Sequence, residues 1–281
     1  MKTFLVPTDF SSSANNAVIY AAALAKECKA KLILLHSFQI PVSPSGIPTR
    51  AISIEDLQKN NERFLEKEVI RIQRHHDIKI EIWTEPGFAV DEVHEIEKRK
   101  KPDLIIMGTK GAGKIKEVLI GSTATAVIRD AKTPVLLIPE NAEYVRPEKI
   151  ILACDHKAGI NLNNLFFLKD LAGKFNSDLY MVNVVPNKEA IPAAEKGIVA
   201  LKIGHYMGDN IICSYHFPQN KDFVLGMDDF LHKHKAAMIT IIPQKHNLLE
   251  RLFNESNTKR MAFHTKLPLL TLPGTHKNSS R

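Results

Sequence analysis

Short, almost unbroken apolar runs recur through the chain, each separated from the next by a segment of helical periodicity. Leu32-Ile33-Leu34-Leu35, Leu104-Ile105-Ile106-Met107 and Val135-Leu136-Leu137-Ile138 contain no polar residue. A strand with one face in water alternates polar and apolar side chains, so these runs fit strands covered on both faces. Strands are predicted over residues 3–7, 31–38, 78–84, 104–107 and 135–138. Helices are predicted over 14–28, 53–75, 90–99 and 122–130, with Asp9 or a nearby serine capping the first. Strands alternating with helices call for a doubly wound parallel sheet. Its ligand is expected beyond the carboxyl ends of the strands.

The pattern then begins again. A polar stretch bracketed by Pro139 and Pro147 reads as a connection. Beyond it, Lys149 to Asp155 echoes Lys2 to Asp9, Leu179 to Val185 echoes the second strand, and Leu267 to Pro273 echoes Thr133 to Pro139. The period is roughly 134 to 147 residues, which is a duplicated domain and not a solenoid. The expected division is 1–140, a linker over 141–148, a second domain over 149–273, and a tail over 274–281.

Composition narrows the function classes. No apolar run approaches the roughly 20 residues that span a bilayer. The first nine residues reach a proline and an acid too early for a secretory leader, so a cytoplasmic protein without membrane association is expected. Cys28, Cys154 and Cys213 stand far apart, which argues against a disulfide framework and for small buried side chains. The net charge of +7 is spread along the chain, and only 7% of residues are aromatic. Such a surface attracts small phosphate-bearing molecules as readily as nucleic acid, and no nucleic-acid partner is expected.

The chemistry concentrates in Met107-Gly108-Thr109-Lys110-Gly111-Ala112-Gly113-Lys114 and, after six more residues, Gly121-Ser122-Thr123. Glycines directly after a buried strand let the backbone turn and approach a bulky anion without interference from a Cβ. Amide N–H groups of such a loop, and of the helix that follows, satisfy phosphate oxygens. Ser122 and Thr123 can add hydroxyls, and Lys110 and Lys114 can add charge. The Walker pattern matches from Gly108 through Lys114 but fails at Ile115, where a hydroxyl must hold Mg²⁺. The dinucleotide pattern starts at Gly111 and fails at Lys116.

What remains is G-x-x-G, nine residues, then G-S, and here the chain resembles the universal stress protein family at Gly108, Gly111, Gly121 and Ser122. Pro7-Thr8-Asp9, His36 and Pro134 look like that family as well. The resemblance covers the first 140 residues strongly and the remainder weakly. It implies an α/β chain of two tandem Rossmann-like domains, each a five-stranded parallel sheet with helices on both faces. It also implies ATP with Mg²⁺ as ligand. By that resemblance Asp9 would accept from ribose or adenine groups, Pro7 and Thr8 would shape the same wall, and the backbone of Ser37 would meet the adenine edge. Met107 would pack near the base and Gly108 near the ribose, with Gly111, Gly121, Ser122 and Thr123 at the phosphates. Ala124 departs from the family, some ATP-binding members having threonine there, so a phosphate contact is either lost or supplied by Thr123 or Thr125.

The second half lacks this loop. At the matching place it reads Ile241-Ile242-Pro243-Gln244-Lys245-His246-Asn247, followed later by Glu255. Proline removes an amide donor and glutamate repels phosphate, although Asp155 survives. One nucleotide site per chain is therefore expected, with a degenerate second domain. His232 and His234 could ligate zinc on a strand but would diverge on a helix. The apolar, proline-flanked strands at 135–138 and 269–272 suit edges that need cover. An intramolecular pseudo-dimer pairing the two is expected, with a homo-oligomer as the alternative. No catalytic triad, paired carboxylate site or metal-ligand spacing accompanies the loop. The resemblance then implies a nucleotide-dependent sensor or switch in a stress response, with slow ATP hydrolysis at most. The rival is an interaction protein whose glycine loop is vestigial.

Overall fold

The computed structural model describes residues 1–40, 53–111, 120–154, 161–187, 193–242 and 267–274. The chain falls into two compact units, Met1–Glu140 and Asn141–Arg281. In the first, β1 (Thr3–Pro7), β2 (Lys31–Phe38), β3 (Ile80–Pro86), β4 (Leu104–Gly108) and β5 (Val135–Ile138) lie in the order β3-β2-β1-β4-β5. Every pairing among them is parallel. All residues of β4 and β5 are buried, which is why those runs tolerate no polar side chain. Full burial of each such Leu or Ile contributes roughly 1.5–3 kcal/mol.

The crossovers are α1 (Ser12–Cys28), α2 (Ile54–Gln73), α3 (Ala89–Lys100) and α4 (Ser122–Asp130). Helix α1 starts two residues earlier than its apolar periodicity suggests because Ser11 is the N-cap, its hydroxyl accepting from the Ala14 amide at 3.3 Å. Ser53 caps α2 in the same way, accepting from the Asp56 amide at 3.0 Å. Ala14, Ala17, Ala21 and Ala25 recur on the buried face of α1, and their small side chains let the helix lie close over β4. Since β2 and β4 flank β1 on opposite sides, the chain reverses its winding there. A crevice opens beyond the carboxyl ends of β1 and β4.

The second unit contains β6 (Lys149–Ala153), a 3₁₀ turn (Leu162–Leu165), α5 (Phe166–Phe175), β7 (Asp178–Val182), α6 (Ala193–Met207), β8 (Cys213–His216), α7 (Phe223–His234), β9 (Met238–Ile241) and β10 (Leu269–Thr271). Its order β8-β7-β6-β9-β10, again all parallel, repeats the topology of the first unit. The three echoed sequences thus occupy its first, second and fifth strands. Among the described residues no helix is long and apolar enough to cross a membrane. None of the three cysteines is in a disulfide; Cys154 is buried as expected, but Cys28 and Cys213 are only half-buried.

Candidate functional site

Each wall of the crevice follows from a strand ending. The amide of Thr8 donates to Leu35 O at 2.8 Å, extending the β1–β2 ladder one residue past Pro7 and burying Thr8. The chain then reverses. Phe10 N donates to Thr8 Oγ1 at 3.1 Å, and Ser11 N donates to Asp9 Oδ1 at 3.0 Å. With Ser11 as the helix cap, Asp9 is not engaged as the cap of α1, and its carboxylate stays exposed at the mouth of the crevice.

On the other side, Thr109 N donates to Ile138 O at 3.1 Å and Lys110 N to Ser13 Oγ at 3.3 Å. These bonds lead the glycine turn across the start of α1. A Cβ at Gly108 would stand 2.6 Å from Ser13 Oγ and 2.8 Å from the Ser13 carbonyl carbon and oxygen, so only glycine fits there. A Cβ at Gly111 would stand 3.0 Å from Asp9 Oδ2, which places that carboxylate against the turn. Gly121 N donates to Thr109 O at 2.7 Å, bringing the start of α4 back to the same loop. Gly121 is the N-cap of α4; no side chain caps the helix and no acid stands in its first turn. The amides of that turn have no intrahelical acceptor, and the helix dipole adds positive potential.

The crevice encloses about 430 Å³, a volume suited to a small-molecule ligand. All ten residues expected at a nucleotide site line it. Pro7, Thr8 and Asp9 form the wall at the end of β1, and Ser37 contributes from β2. Met107, Gly108 and Gly111 follow from β4 and its turn, and Gly121, Ser122 and Thr123 from the start of α4. Ala124 lines it as well, and of its two possible substitutes Thr123 faces the crevice whereas the Thr125 hydroxyl donates back to Gly121 O at 3.1 Å. Lys110 is the cation on its lining, while Lys114, Ile115 and Lys116 lie outside the described residues. Leu35 and Ala89 were not legible as site residues. Leu35 joins the lining through its parallel register with Pro7, which only the fold reveals, whereas Ala89 carries no signal beyond small size at a helix start.

Residues 1–139 match the model of the universal stress protein family. A universal stress protein of Methanocaldococcus jannaschii is 32% identical over 140 residues, covering 49% of this chain and 81% of that one. The chain belongs to the universal stress protein family. A second universal stress protein of the same organism is 29% identical over 153 residues, covering 49% and 94% of the two chains. Both units share in the likeness of fold. A crystal structure of a universal stress protein from Archaeoglobus fulgidus superposes with a TM-score of 0.74 at 18% identity, covering 97% of this chain and 98% of that one.

The second unit keeps the backbone of the first wall. Cys154 N donates to Val182 O at 2.8 Å, as Thr8 does to Leu35. Asp155 and the substituted loop with Pro243, His246 and Glu255 lie outside the described residues. His232 and His234 fall on α7, where they do diverge: His232 approaches Asp228 at 3.7 Å, while the His234 ring stacks on Phe230 at 4.0 Å. No group of three metal-binding side chains occurs among the described residues.

His234 also lies 5.5 Å from His216, with the Tyr180 ring edge-on to His216 and tilted against His234. Burial lowers the pKa of each; the His234 charge lowers His216 further, and Lys233 and Lys149 lower His234. Each imidazole thus takes up its proton at a lower pH in the fold than in the unfolded chain, where protonation occurs near pH 6.5. Their contribution to stability is full above about pH 6.5 and is lost as the pH falls below it through the folded values. Thermal unfolding of wild type should weaken from about pH 7.5 to about pH 5.5 more steeply than that of the His216→Gln/His234→Gln variant. The difference is modest, since both rings keep access to water. Equal slopes would show that the pair is not protonation-sensitive.

Proposed function

We propose that the first unit binds ATP, one molecule per chain, and that the protein serves as a nucleotide-dependent sensor or switch in a stress response. The observation that carries this reading is the meeting of three glycines and an uncapped helix start with the Pro7–Thr8–Asp9 wall at the point where the sheet reverses its winding. Phosphates suit the glycine end, where donors are backbone amides and the lining cation is Lys110. Ribose and adenine suit the end where Asp9 offers an acceptor and Ser37, Leu35 and Met107 offer a backbone edge and apolar surface.

The fit is supported by what packing leaves unexplained at Gly121. Among the described residues a Cβ there would make only ordinary contacts, with Thr109 O at 3.6 Å and Gly111 N at 3.7 Å, so the fold does not require this glycine as it requires Gly108. Mg²⁺ fits as a companion of the nucleotide. Asp9 is the one carboxylate lining the crevice among the described residues, so phosphate oxygens and water would supply most ligands. We assign the site binding in preference to turnover, with any hydrolysis slow, and place the protein in the cytoplasm.

Isothermal titration of the whole chain with MgATP tests the reading, together with mass spectrometry of nucleotide released from freshly purified, denatured protein. One site per chain is expected, because Pro243, His246 and Glu255 replace the motif glycines in the matching stretch of sequence. Two equal sites would overturn the degeneracy of the second unit. Absence of binding and of co-purified nucleotide would leave the glycine loop vestigial and the protein an interaction module.

A further inference from the structure

Phe10 holds a left-handed conformation, φ 61°, that bulky L-residues adopt at a cost. Of the other described non-glycine residues with positive φ, Lys29, Lys101 and Asn176 cap helix ends and Lys235 follows the end of α7. Left-handed residues are ordinary there. Phe10 instead precedes a helix, between the acid of the crevice and the cap of α1, where nothing about helix termination requires the conformation.

The surroundings of Phe10 hold it from several sides. Its ring lies against the His36 ring at 4.6 Å, with Phe64 of α2 at 5.8 Å on the same cluster. His36 is fixed in turn, because Nδ1 lies 2.8 Å from Thr8 O; a carbonyl only accepts, so Nδ1 carries the proton. The Phe10 backbone is tied at both ends, its N–H to Thr8 Oγ1 and its carbonyl to Asn15 Nδ2 at 3.1 Å. The reversal has one consequence inside the crevice. It sets Asp9 so that Oδ1 accepts from Ser11 N while Oδ2 stands beside Gly111.

We infer that Phe10, clasped on His36, is a positioning residue for the nucleotide site: it turns the Asp9 carboxylate toward the ligand. Phe10 does not line the crevice itself, so it acts on affinity through Asp9. This inference rests on the proposed ATP site, where Asp9 is the acceptor for ribose or adenine groups. His36 has the second part, anchoring the ring from β2 and joining it to the Thr8 carbonyl just past β1. The clasp thus lets two neighbouring strands set the direction of one carboxylate.

The test uses the full chain and two variants, Phe10→Ala and Phe10→Gly. Glycine takes φ near +60° without strain, so Phe10→Gly keeps the backbone path open and guards against a variant that fails to fold. Either variant should lower ATP affinity about tenfold by titration. In an Asp9→Ala background the same change at residue 10 should have no further effect, because the group it positions is gone. A merely structural role would weaken both backgrounds equally, and that result overturns the inference. Hydrogen exchange of the Ser11 amide, measured without nucleotide, reports the Asp9 contact directly and should rise about tenfold in Phe10→Gly. Unchanged exchange also overturns it. If wild type binds no ATP, the nucleotide proposal fails on its own, while the Ser11 amide still decides whether Phe10 sets Asp9.

Discussion

Replacing Gly121 with glutamate is expected to lower ATP affinity by about a hundredfold or more while leaving the chain folded. The fold tolerates the change because Gly121 has φ −64° and ψ 158°, extended values open to any residue. Among the described residues the nearest atom to a Cβ there is Thr109 O at 3.6 Å, an ordinary contact. As an N-cap without a side-chain bond, Gly121 loses about 1 kcal/mol or less on substitution. The ligand does not share this tolerance. The new side chain would fill the space beside the glycine turn and set a negative charge at the unfilled amides of α4, where phosphate would sit. Calorimetric titration beside a melting curve separates the two effects, and Gly121→Ala should give a smaller loss. A folded Gly121→Glu protein with wild-type affinity would remove the turn from the site.

Gly108→Ala should do the reverse and act on the fold, by about 2–3 kcal/mol. The added methyl would stand within 2.8 Å of the Ser13 carbonyl group and 2.6 Å of its hydroxyl. Ser13 Oγ can rotate, but its carbonyl belongs to the first turn of α1 and cannot. Relief then requires α1 to lift from β4, over which its alanines pack closely. Denaturant unfolding measures the loss. Wild-type stability in Gly108→Ala would mean that α1 has slack over β4, contrary to the geometry. Two glycines of one motif thus differ in what the fold asks of them: helix packing requires Gly108, whereas packing leaves Gly121 unconstrained, as the proposed phosphate end would need.

Most of the first unit was legible because its signals are local. The strands Thr3–Pro7, Lys31–Phe38 and Val135–Ile138 and the helix Ser122–Asp130 stand at the residues their patterns indicate. Where reading and structure part, a non-local bond decides. Ile78 suggested that the third strand begins there. Instead Ile78 N turns back to His76 O at 3.1 Å, and the ladder starts at Ile80 opposite Leu32. Asp9 and the serines were equal candidates for the first cap, and only the fold shows Ser11 taking that role.

At the site, the motif residues carried their own evidence, whereas Leu35, Ala89 and the ring of Phe10 did not. Their parts depend on which strands become neighbours, and a single sequence does not spell out a register. The second unit was read through three echoed strands. Its α7 stayed hidden partly because His232 and His234 invited a reading as alternating strand positions.

Three of the positions on the crevice lining are glycines, and main-chain amides stand at its far end beside Lys110 and the hydroxyls of Ser122 and Thr123. Such a site presents little for truncation to remove. Alanine scanning asks what is lost when a side chain is shortened, and at these positions it can only add atoms. At Ser122 and Thr123 it removes hydroxyls but leaves the amides in place. A mutational map built on truncation would therefore understate the amide-rich end of the crevice relative to the apolar core around it, the opposite of the parts proposed for them. Scanning with bulk and with negative charge is the complementary probe for a surface whose proposed recognition rests largely on the backbone.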